Sequence, residues 1–279
     1  MKPQTHESAA LRFLYGTAPG RGVLKLLTRP GLSRAAGRFL DAPVSRRLIC
    51  PFAQKNHIKR SDYLPERYSC FNDFFCRRIR PELRPMPADP AVLMAPCDGL
   101  LSAYHLTGET VLPVKQSRYT LSELLHGDRA AARFSGGDAL VFRLCVDHYH
   151  RYCYVDDGYK GENIFLPGML HTVRPIALEK LPVFVRNCRE YTLMETEHFG
   201  TLCQVEVGAL LVGKICNLQG TGPIRRGAEK GRFLYGGSTV ILLVEKGKAQ
   251  LDERFFTATE QGIETPVRMG QALGRATKK

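Results

Sequence analysis

The sequence predicts an α+β fold in which short N-terminal amphipathic helices precede a compact β-rich domain of barrel-like or sandwich-like form. The first sixty residues show helical apolar spacing, and short β-type runs broken by Gly and Pro begin at about residue 90. A chain of 279 residues with 44% hydrophobic residues can also bury one sizeable core. No apolar run approaches the roughly 20 residues that cross a bilayer. We therefore expect a helical segment at 1–60 and a β-rich domain at 61–279.

The N-terminal segment carries most of the positive charge. Residues 1–60 hold twelve Lys and Arg against two acidic residues, a net charge of +10 out of +13 for the whole chain. An apolar stripe with helical spacing runs through it, formed by Leu32, Ala35, Ala36, Phe39 and Leu40. A basic amphipathic helix of this kind suits the surface of an anionic membrane better than nucleic acid. The alternative is that the apolar face packs on the domain beneath it.

The remaining elements follow in chain order. Residues 61–90 are expected to connect the two parts, and a helix is expected at Leu121–Leu125, begun by Thr120 or Ser122. Apolar β-type runs predict strands at 139–146, 201–207, 209–212 and 239–244. With few helical stretches between them, these runs predict a β-rich domain.

Several common sites are excluded or only weakly indicated. The run 208–214 has phosphate-loop spacing, but Ile215 stands where Ser or Thr would hold Mg²⁺. No G-x-S-x-G nucleophile motif occurs. Nine scattered cysteines favour neither disulfides nor zinc, and they fit a reducing, cytosolic setting. His148 and His150 would share one face of a strand, which is a weak metal signal, and we expect no metal.

Three short motifs are informative in combination, although each alone is not. They are P-C-D-G at 96–99, the segment 147–151 (D-H-Y-H-R), and G-G-S-T at 236–239 ahead of an apolar strand. Each alone is an ordinary turn or strand end. In this order and at this separation they resemble the phosphatidylserine decarboxylase family. The resemblance extends to Phe74-Phe75 with Arg77-Arg78 and to the segment 165–173, and it covers nearly the whole chain.

The resemblance implies that the chain cuts itself at the Gly237–Ser238 bond. The products would be a beta chain, 1–237, and an alpha chain, 238–279, that stay together as a heterodimer. A hydroxyl must attack the preceding carbonyl, and glycine there removes the Cβ that would block the approach. Elimination from the resulting ester then leaves a pyruvoyl group, which is the implied cofactor and derives from Ser238. It forms a Schiff base with the substrate amine and accepts electrons as CO₂ departs.

Family roles carry over to three residues. Ser238 matches the pyruvoyl precursor, and Asp98 matches the aspartate that helps to activate this serine. His150 matches the first histidine of an H-R-x-H pair, which is associated with substrate handling and decarboxylation. We expect these three residues to be catalytic, with Gly237 on the other side of the cleaved bond.

One family position differs, because Cys153 replaces the second histidine of the H-R-x-H pair. Three explanations stay open: Asp98 acts without a relay, Cys153 substitutes, or an imidazole comes from His148 or His171. His171 lies in a segment that matches the family and is the first to test. Gly236 stands where many relatives have Leu, and we do not expect it to prevent cleavage.

The resemblance implies a membrane-peripheral enzyme of phospholipid biosynthesis that converts phosphatidylserine to phosphatidylethanolamine and CO₂. We expect its partner to be phosphatidylserine in an anionic membrane, at the cytoplasmic face of the cell membrane, with no nucleic acid. Association into a homo-oligomer is left open. One alternative is a pyruvoyl-dependent decarboxylase of a soluble amino acid. Another is a non-catalytic basic protein that binds lipid or nucleic acid and uses G-G-S-T only as a turn.

Overall fold

The computed structural model describes most of the chain. The described residues are 9–17, 19–20, 22–23, 37–64, 67–106, 111–114, 117–127, 129–168, 186–208, 214–235 and 238–277. Their α-helices are Ala9–Gly16, Ile49–Lys55, Phe71–Phe75, Leu121–Leu124 and Glu253–Glu260. Their 3-10 helices are Pro43–Leu48, Arg60–Asp62, Pro81–Leu83 and Arg129–Phe134. No helix among these residues is long and apolar enough to span a bilayer.

The strands carry most of the regular structure. In chain order they are β1 (Tyr63–Leu64), β2 (Arg78–Ile79), β3 (Val92–Met94), β4 (Gly99–His105), β5 (Val111–Val114), β6 (Ser117–Thr120), β7 (Asp138–Leu144), β8 (Arg151–Cys153), β9 (Gly158–Lys160), β10 (Ile164–Leu166), β11 (Arg189–Thr196), β12 (Gly200–Val207), β13 (Ile215–Asn217), β14 (Gly222–Ile224), β15 (Glu229–Phe233), β16 (Ser238–Val244), β17 (Ala249–Leu251), β18 (Thr265–Val267) and β19 (Ala272–Ala276). The α+β, β-rich fold is therefore confirmed.

A nine-stranded antiparallel sheet forms the centre of the molecule. Its order is β14-β9-β11-β12-β16-β7-β4-β18, and β10 also pairs with β11. The sheet has two edges, so the described strands close no barrel, and the barrel-like form named as one option is not observed. Smaller sheets, β13-β15-β8 and β17-β19-β3, contribute side chains to the same core as one face of the central sheet.

Both faces of the central sheet are buried at β16, which explains the uninterrupted apolar run of this strand. Ile241 and Leu243 belong to the cluster on one face, with the helix Leu121–Leu124. Val240 and Leu242 belong to the cluster on the other face, with side chains of β8 and β15. A strand covered on two sides has no polar face, so its sequence shows no alternation.

The predicted helix at Leu121–Leu125 is confirmed, with a clear start signal. Thr120 accepts a hydrogen bond from the Glu123 backbone N–H at 3.0 Å, and the Glu123 carboxylate accepts the Thr120 N–H at 2.9 Å. This reciprocal capping box satisfies two backbone donors that the helix itself leaves open. Leu121 and Leu124 are then fully buried against the sheet.

The N-terminal segment is described in part. Residues 31–36 of the predicted amphipathic stripe lie outside the described residues. Tyr15 of the helix Ala9–Gly16 is buried in the central core, whereas Phe13 is 45% exposed. Further along, Phe39, Val44 and Leu48 are exposed beside the exposed basic residues Arg38, Arg46 and Arg47.

Candidate active site

Ser238 is the first residue of β16, in the middle of the central sheet. It pairs with Leu144 of β7, and the next residue, Thr239, pairs with Val207 of β12. Its side chain is fully buried, and its Oγ has no hydrogen-bond partner among the described residues. A buried hydroxyl without a partner costs about 1–3 kcal/mol. The fold thus holds the Ser238 hydroxyl inside the core at a fixed position, with no hydrogen bond to a described residue.

The segment before Ser238 crosses from one sheet to the other. β15 ends at Phe233, and Tyr235 is held by a hydrogen bond from its N–H to Asn72 Oδ1 at 3.2 Å. The Tyr235 ring also contacts Phe71 and Phe75 edge-on, with centroids 5.1 Å apart in each pair. Gly236 and Gly237 lie outside the described residues. The helix Phe71–Phe75 therefore anchors the chain just before the predicted cleavage bond.

Asp98 lies at the same end of the central sheet as Ser238. It precedes β4, where Leu100 pairs with Arg143, while Ser238 pairs with Leu144. Because β7 separates β4 from β16, two strand spacings, about 10 Å, divide these positions. The Asp98 carboxylate is 8% exposed as a side chain and is held by the Arg84 guanidinium through Nε at 2.7 Å and through Nη2. It also accepts the Met269 N–H at 2.9 Å.

His150 is fully buried and has one free ring nitrogen. Its Nδ1 donates to the His148 carbonyl at 2.9 Å, so Nε2 carries the lone pair, and no described residue contacts it by a hydrogen bond. Burial lowers the pKa of His150 well below its ordinary value, and the Arg77 charge lowers it further. The imidazole lies against the Phe75 ring, with centroids 4.1 Å apart. His150 is therefore neutral, with an available acceptor.

His148 has the tautomer opposite to that of His150, with its proton on Nε2, and the charge of Asp98 acts on it. Its Nδ1 accepts the Cys145 N–H at 3.0 Å, which leaves the proton on Nε2. Burial lowers the pKa of His148, whereas Asp147 and Asp98 raise it. The prediction that His148 and His150 share a strand is wrong, because both lie before β8 begins at Arg151.

Arg77 fixes the turn that carries both histidines. Its guanidinium is 1% exposed as a residue and donates to the carbonyls of Asp147 at 2.9 Å and His148 at 3.1 Å. Its Cζ lies 4.5 Å from the centre of the Tyr63 ring. A cation held by carbonyls and an aromatic face needs no carboxylate nearby.

Cys153 and His171 are the other two candidates for the role of the family's second histidine. Cys153 is buried in an apolar cluster with Cys97, and its backbone N–H donates to Pro96 O at 2.9 Å. Burial raises the pKa of Cys153 to about 12, so it is a protonated thiol at neutral pH. His171 lies outside the described residues. Among the described residues, no group of three or more His, Cys, Asp or Glu is arranged to hold a metal ion.

A buried polar network that no sequence motif predicted lies on the Ser238 face of the sheet. Lys230 and Glu206 are both fully buried, with Nζ and Oε1 2.7 Å apart. Asn217 links them: its Oδ1 accepts from Lys230 at 3.0 Å, and its Nδ2 donates to Glu206 at 3.2 Å. This network joins β12 to the sheet that contains β13 and β15. A charged residue inside the apolar run Val205-Glu206-Val207 was the available signal.

Comparisons with a family model and with individual proteins point to the same family. A family model described as phosphatidylserine decarboxylase matches residues 71–275, which include Asp98, His150 and Ser238. The chain is 38% identical over 270 residues to "Phosphatidylserine decarboxylase proenzyme 2" of Clostridium acetobutylicum, covering 96% of this chain and 92% of that protein. It is also 38% identical over 275 residues to "Phosphatidylserine decarboxylase proenzyme" of Ruminiclostridium cellulolyticum, with the same coverage. A Clostridium perfringens proenzyme is 35% identical, covering 95% and 94% of the two chains.

Proposed function

This chain belongs to the phosphatidylserine decarboxylase family, and on that premise we propose that it is a carboxy-lyase made as a proenzyme, which converts phosphatidylserine to phosphatidylethanolamine and CO₂. The observation that carries the proposal is the buried, unpartnered hydroxyl of Ser238, directly after Gly237. The relatives of this chain are named proenzymes, and that name fits a chain that must be cut to become active.

The first step of the proposal is self-cleavage. Ser238 Oγ attacks the Gly237 carbonyl carbon, and the peptide nitrogen leaves with a proton, so the amide becomes an ester. Loss of the Ser238 α-proton then breaks the Cβ–Oγ bond and releases the 1–237 carboxylate. Hydrolysis of the dehydroalanine that remains gives a pyruvoyl group and ammonia. The Ser238 hydroxyl is suited to this because it is buried and makes no competing hydrogen bond.

We assign the proton relay to His148 and Asp98. A hydroxyl must lose its proton as it attacks, and a neutral imidazole is the usual acceptor. His148 is neutral because burial lowers its pKa, and Asp98 favours the protonated form that arises once the imidazole takes a proton. Cys153 is disfavoured as a base because its thiol pKa is about 12. Arg84 holds the Asp98 carboxylate in one orientation for this role.

His150 would act in the decarboxylation itself. The pyruvoyl group supplies an electrophilic carbonyl that withdraws electrons from the substrate carbon as CO₂ leaves. His150 Nε2 is a buried lone pair, so it can take a proton from the substrate ammonium and return one to that carbon. Its Nδ1–H bond to the His148 carbonyl keeps the ring in the tautomer that this transfer needs.

We further propose that the enzyme binds peripherally to the cytoplasmic face of the cell membrane. The exposed apolar residues Phe39, Val44 and Leu48 lie in the same segment as exposed arginines. Apolar side chains can enter the headgroup boundary while each nearby Lys or Arg gains about 1 kcal/mol from anionic lipid. The substrate is itself an anionic lipid, so the membrane surface that binds the enzyme also contains its substrate.

Intact-mass spectrometry tests the cleavage. The wild-type chain of 31.2 kDa should separate into 1–237 and 238–279, and the smaller fragment should lack an N-terminal amine. The Ser238→Ala variant should stay a single chain and release no CO₂ from phosphatidylserine vesicles. Ser122→Ala, an exposed serine, is the matched control and should be cleaved normally. An active wild-type protein that stays whole would overturn the proposal.

Two further comparisons test the substrate and the relay. Release of CO₂ from free serine at a rate equal to that from phosphatidylserine would favour a soluble amino acid as substrate. His148→Gln should slow self-cleavage by two orders of magnitude or more, because general base catalysis contributes roughly 10²–10⁴-fold. Cys153→Ala should be cleaved at the wild-type rate. The opposite ranking of the two variants would assign the relay to Cys153.

A further inference from the structure

An arginine-rich cavity opens beside the segment that leads to Ser238. Its volume is about 420 Å³, and Leu234, four residues before Ser238, lines it. The charged residues in its wall are Arg77, Arg78, Arg151, Arg232, Asp41 and Asp73. Apart from Arg77, which holds the turn with His148 and His150, none of these charged residues is used in the reaction steps described above. The cavity therefore needs its own explanation.

The acidic residues of the wall form no ion pair with its arginines. Asp41 accepts a hydrogen bond from Asn72 Nδ2 at 2.8 Å, and Asp73 accepts from the Ser69 N–H and Oγ at 2.8 and 3.0 Å. Neither carboxylate forms an ion pair with an arginine among the described residues. Both carboxylates accept hydrogen bonds from neutral donors and keep their charge, so four arginines face two aspartates in this wall and its net charge stays positive.

Arg78 and Arg232 are the two arginines of the wall whose guanidinium groups make the fewest bonds to the described residues. Arg151 donates through Nε to the Cys76 carbonyl at 2.7 Å and through Nη1 to both oxygens of Glu229 at 2.6 and 2.7 Å. Among the described residues, the Arg232 side chain has one 3.5 Å ion pair, to that same carboxylate. The Arg78 side chain is exposed and makes no hydrogen bond or ion pair with any described residue. Arg78 and Arg232 therefore present open guanidinium donors to one cavity.

The rim of the cavity is apolar on the Arg78 side. Leu64 of β1 pairs directly with Arg78 of β2, and Leu64 is 38% exposed. Residues opposite each other in an antiparallel pair project to the same face. A guanidinium group and a leucine side by side match a phosphate group joined to an apolar tail. Free phosphate would gain nothing from the leucine.

We propose that this cavity binds the phosphodiester of a glycerophospholipid, with Arg78 and Arg232 as its ligands. Guanidinium groups bind phosphate oxygens by strong charge-assisted hydrogen bonds. Leu64 would contact the glycerol and the first acyl carbons. Applied to phosphatidylserine, the proposal rests on the proposed function, and it makes Arg78 and Arg232 determinants of lipid recognition rather than of the chemical step.

Kinetics in phosphatidylserine mixed micelles tests the proposal on the mature enzyme. Arg78→Gln and Arg232→Gln should each raise KM about tenfold or more, the loss expected for one charged hydrogen bond, with kcat and self-cleavage unchanged. Arg78→Lys keeps the charge and should recover part of the affinity. Arg254→Gln, an exposed arginine outside the cavity wall, is the control and should leave KM unchanged. An unchanged KM in both cavity variants would overturn the proposal.

Calorimetry separates this site from the decarboxylase function. The full-length Ser238→Ala protein is titrated with dihexanoyl phosphatidylserine, dihexanoyl phosphatidylglycerol, dihexanoyl glycerol and inorganic phosphate. The site as proposed binds both phospholipids, and Arg78→Gln weakens both about tenfold without affecting dihexanoyl glycerol. Phosphate that binds as tightly as the lipids would overturn the lipid assignment. If wild-type enzyme releases no CO₂ but this pattern holds, the proposed function fails and the site stands.

Discussion

The buried pair of Lys230 and Glu206 allows a sharp test of how the two sheets around Ser238 are held together. We consider Lys230→Met, which keeps the length of the side chain and removes its charge. Both partners are fully buried, and their charged atoms are 2.7 Å apart. The substitution leaves the Glu206 carboxylate in the core, where Gln204 and Asn217 are its remaining donors among the residues that the structure describes.

Removing one partner of a buried ion pair costs about 3–5 kcal/mol, because the other charge stays buried without compensation. That is a large share of the roughly 5–15 kcal/mol that stabilises a typical domain. With a urea m-value of about 3 kcal/mol per molar, the denaturation midpoint should fall by about 1 M or more. The measurement uses the Ser238→Ala background, so that a single uncut chain unfolds.

The loss of stability in Lys230→Met should depend on pH with a definite sign. Burial already raises the pKa of Glu206, and losing Lys230 raises it further because Lys230 lowers it. A carboxyl whose pKa is raised by folding is favoured when protonated, so the deficit should shrink as the pH falls toward 5 and grow as it rises. Lys230→Met with Glu206→Gln should regain most of the loss at neutral pH.

A matched control is Arg275→Met, which breaks an exposed ion pair with Asp89 and should leave the midpoint unchanged. A midpoint shift for Lys230→Met no larger than that of this control would show that the ion pair does not stabilise the fold. A double variant no more stable than the single one would show that the cost does not come from the isolated carboxylate.

Three further predictions concern other parts of the molecule. Arg84→Met should slow self-cleavage and lower stability by about 3 kcal/mol, since Asp98 loses its buried partner; normal cleavage in a mass-spectrometric time course would contradict this. The free energy of unfolding should fall as the pH drops below about 6.5, because the pKa of His150 is lowered by folding and the unfolded chain takes up the proton first; urea titrations at pH 7.5 and 5.5 giving equal stability would count against it. The exposed thiol of Cys50 should react with a maleimide in the native protein, whereas Cys97, whose pKa burial raises, should react only after unfolding; peptide mapping decides between them.

Local sequence signals predicted the centre of the fold well. The runs at 139–146, 201–207 and 239–244 correspond to β7, β12 and β16, which lie side by side in the central sheet. Central strands are apolar on both faces, so their signal is strong and depends little on their partners. The predicted strand at 209–212 lies outside the described residues.

The arrangement of the site could not be predicted in the same way. The influence of Asp98 on His148 joins positions fifty residues apart, and the Lys230–Glu206 pair joins two different sheets. No local periodicity records such contacts, because they arise only once the sheets pack together. The motifs therefore indicated which residues matter, whereas the tautomers and charge partners required the three-dimensional structure.

The position of Ser238 explains how the chain can be cut without falling apart. Residues 238–277 supply β16, β17, β18, β19 and the helix Glu253–Glu260. β16 is paired with β12 on one side and with β7 on the other, and its residues from Val240 to Val244 are fully buried. Under the proposed cleavage, only the short link between β15 and β16 is lost, while both ladders of β16 remain. The smaller chain would stay at the centre of the sheet, where its first residue faces the site without needing the link that positioned it.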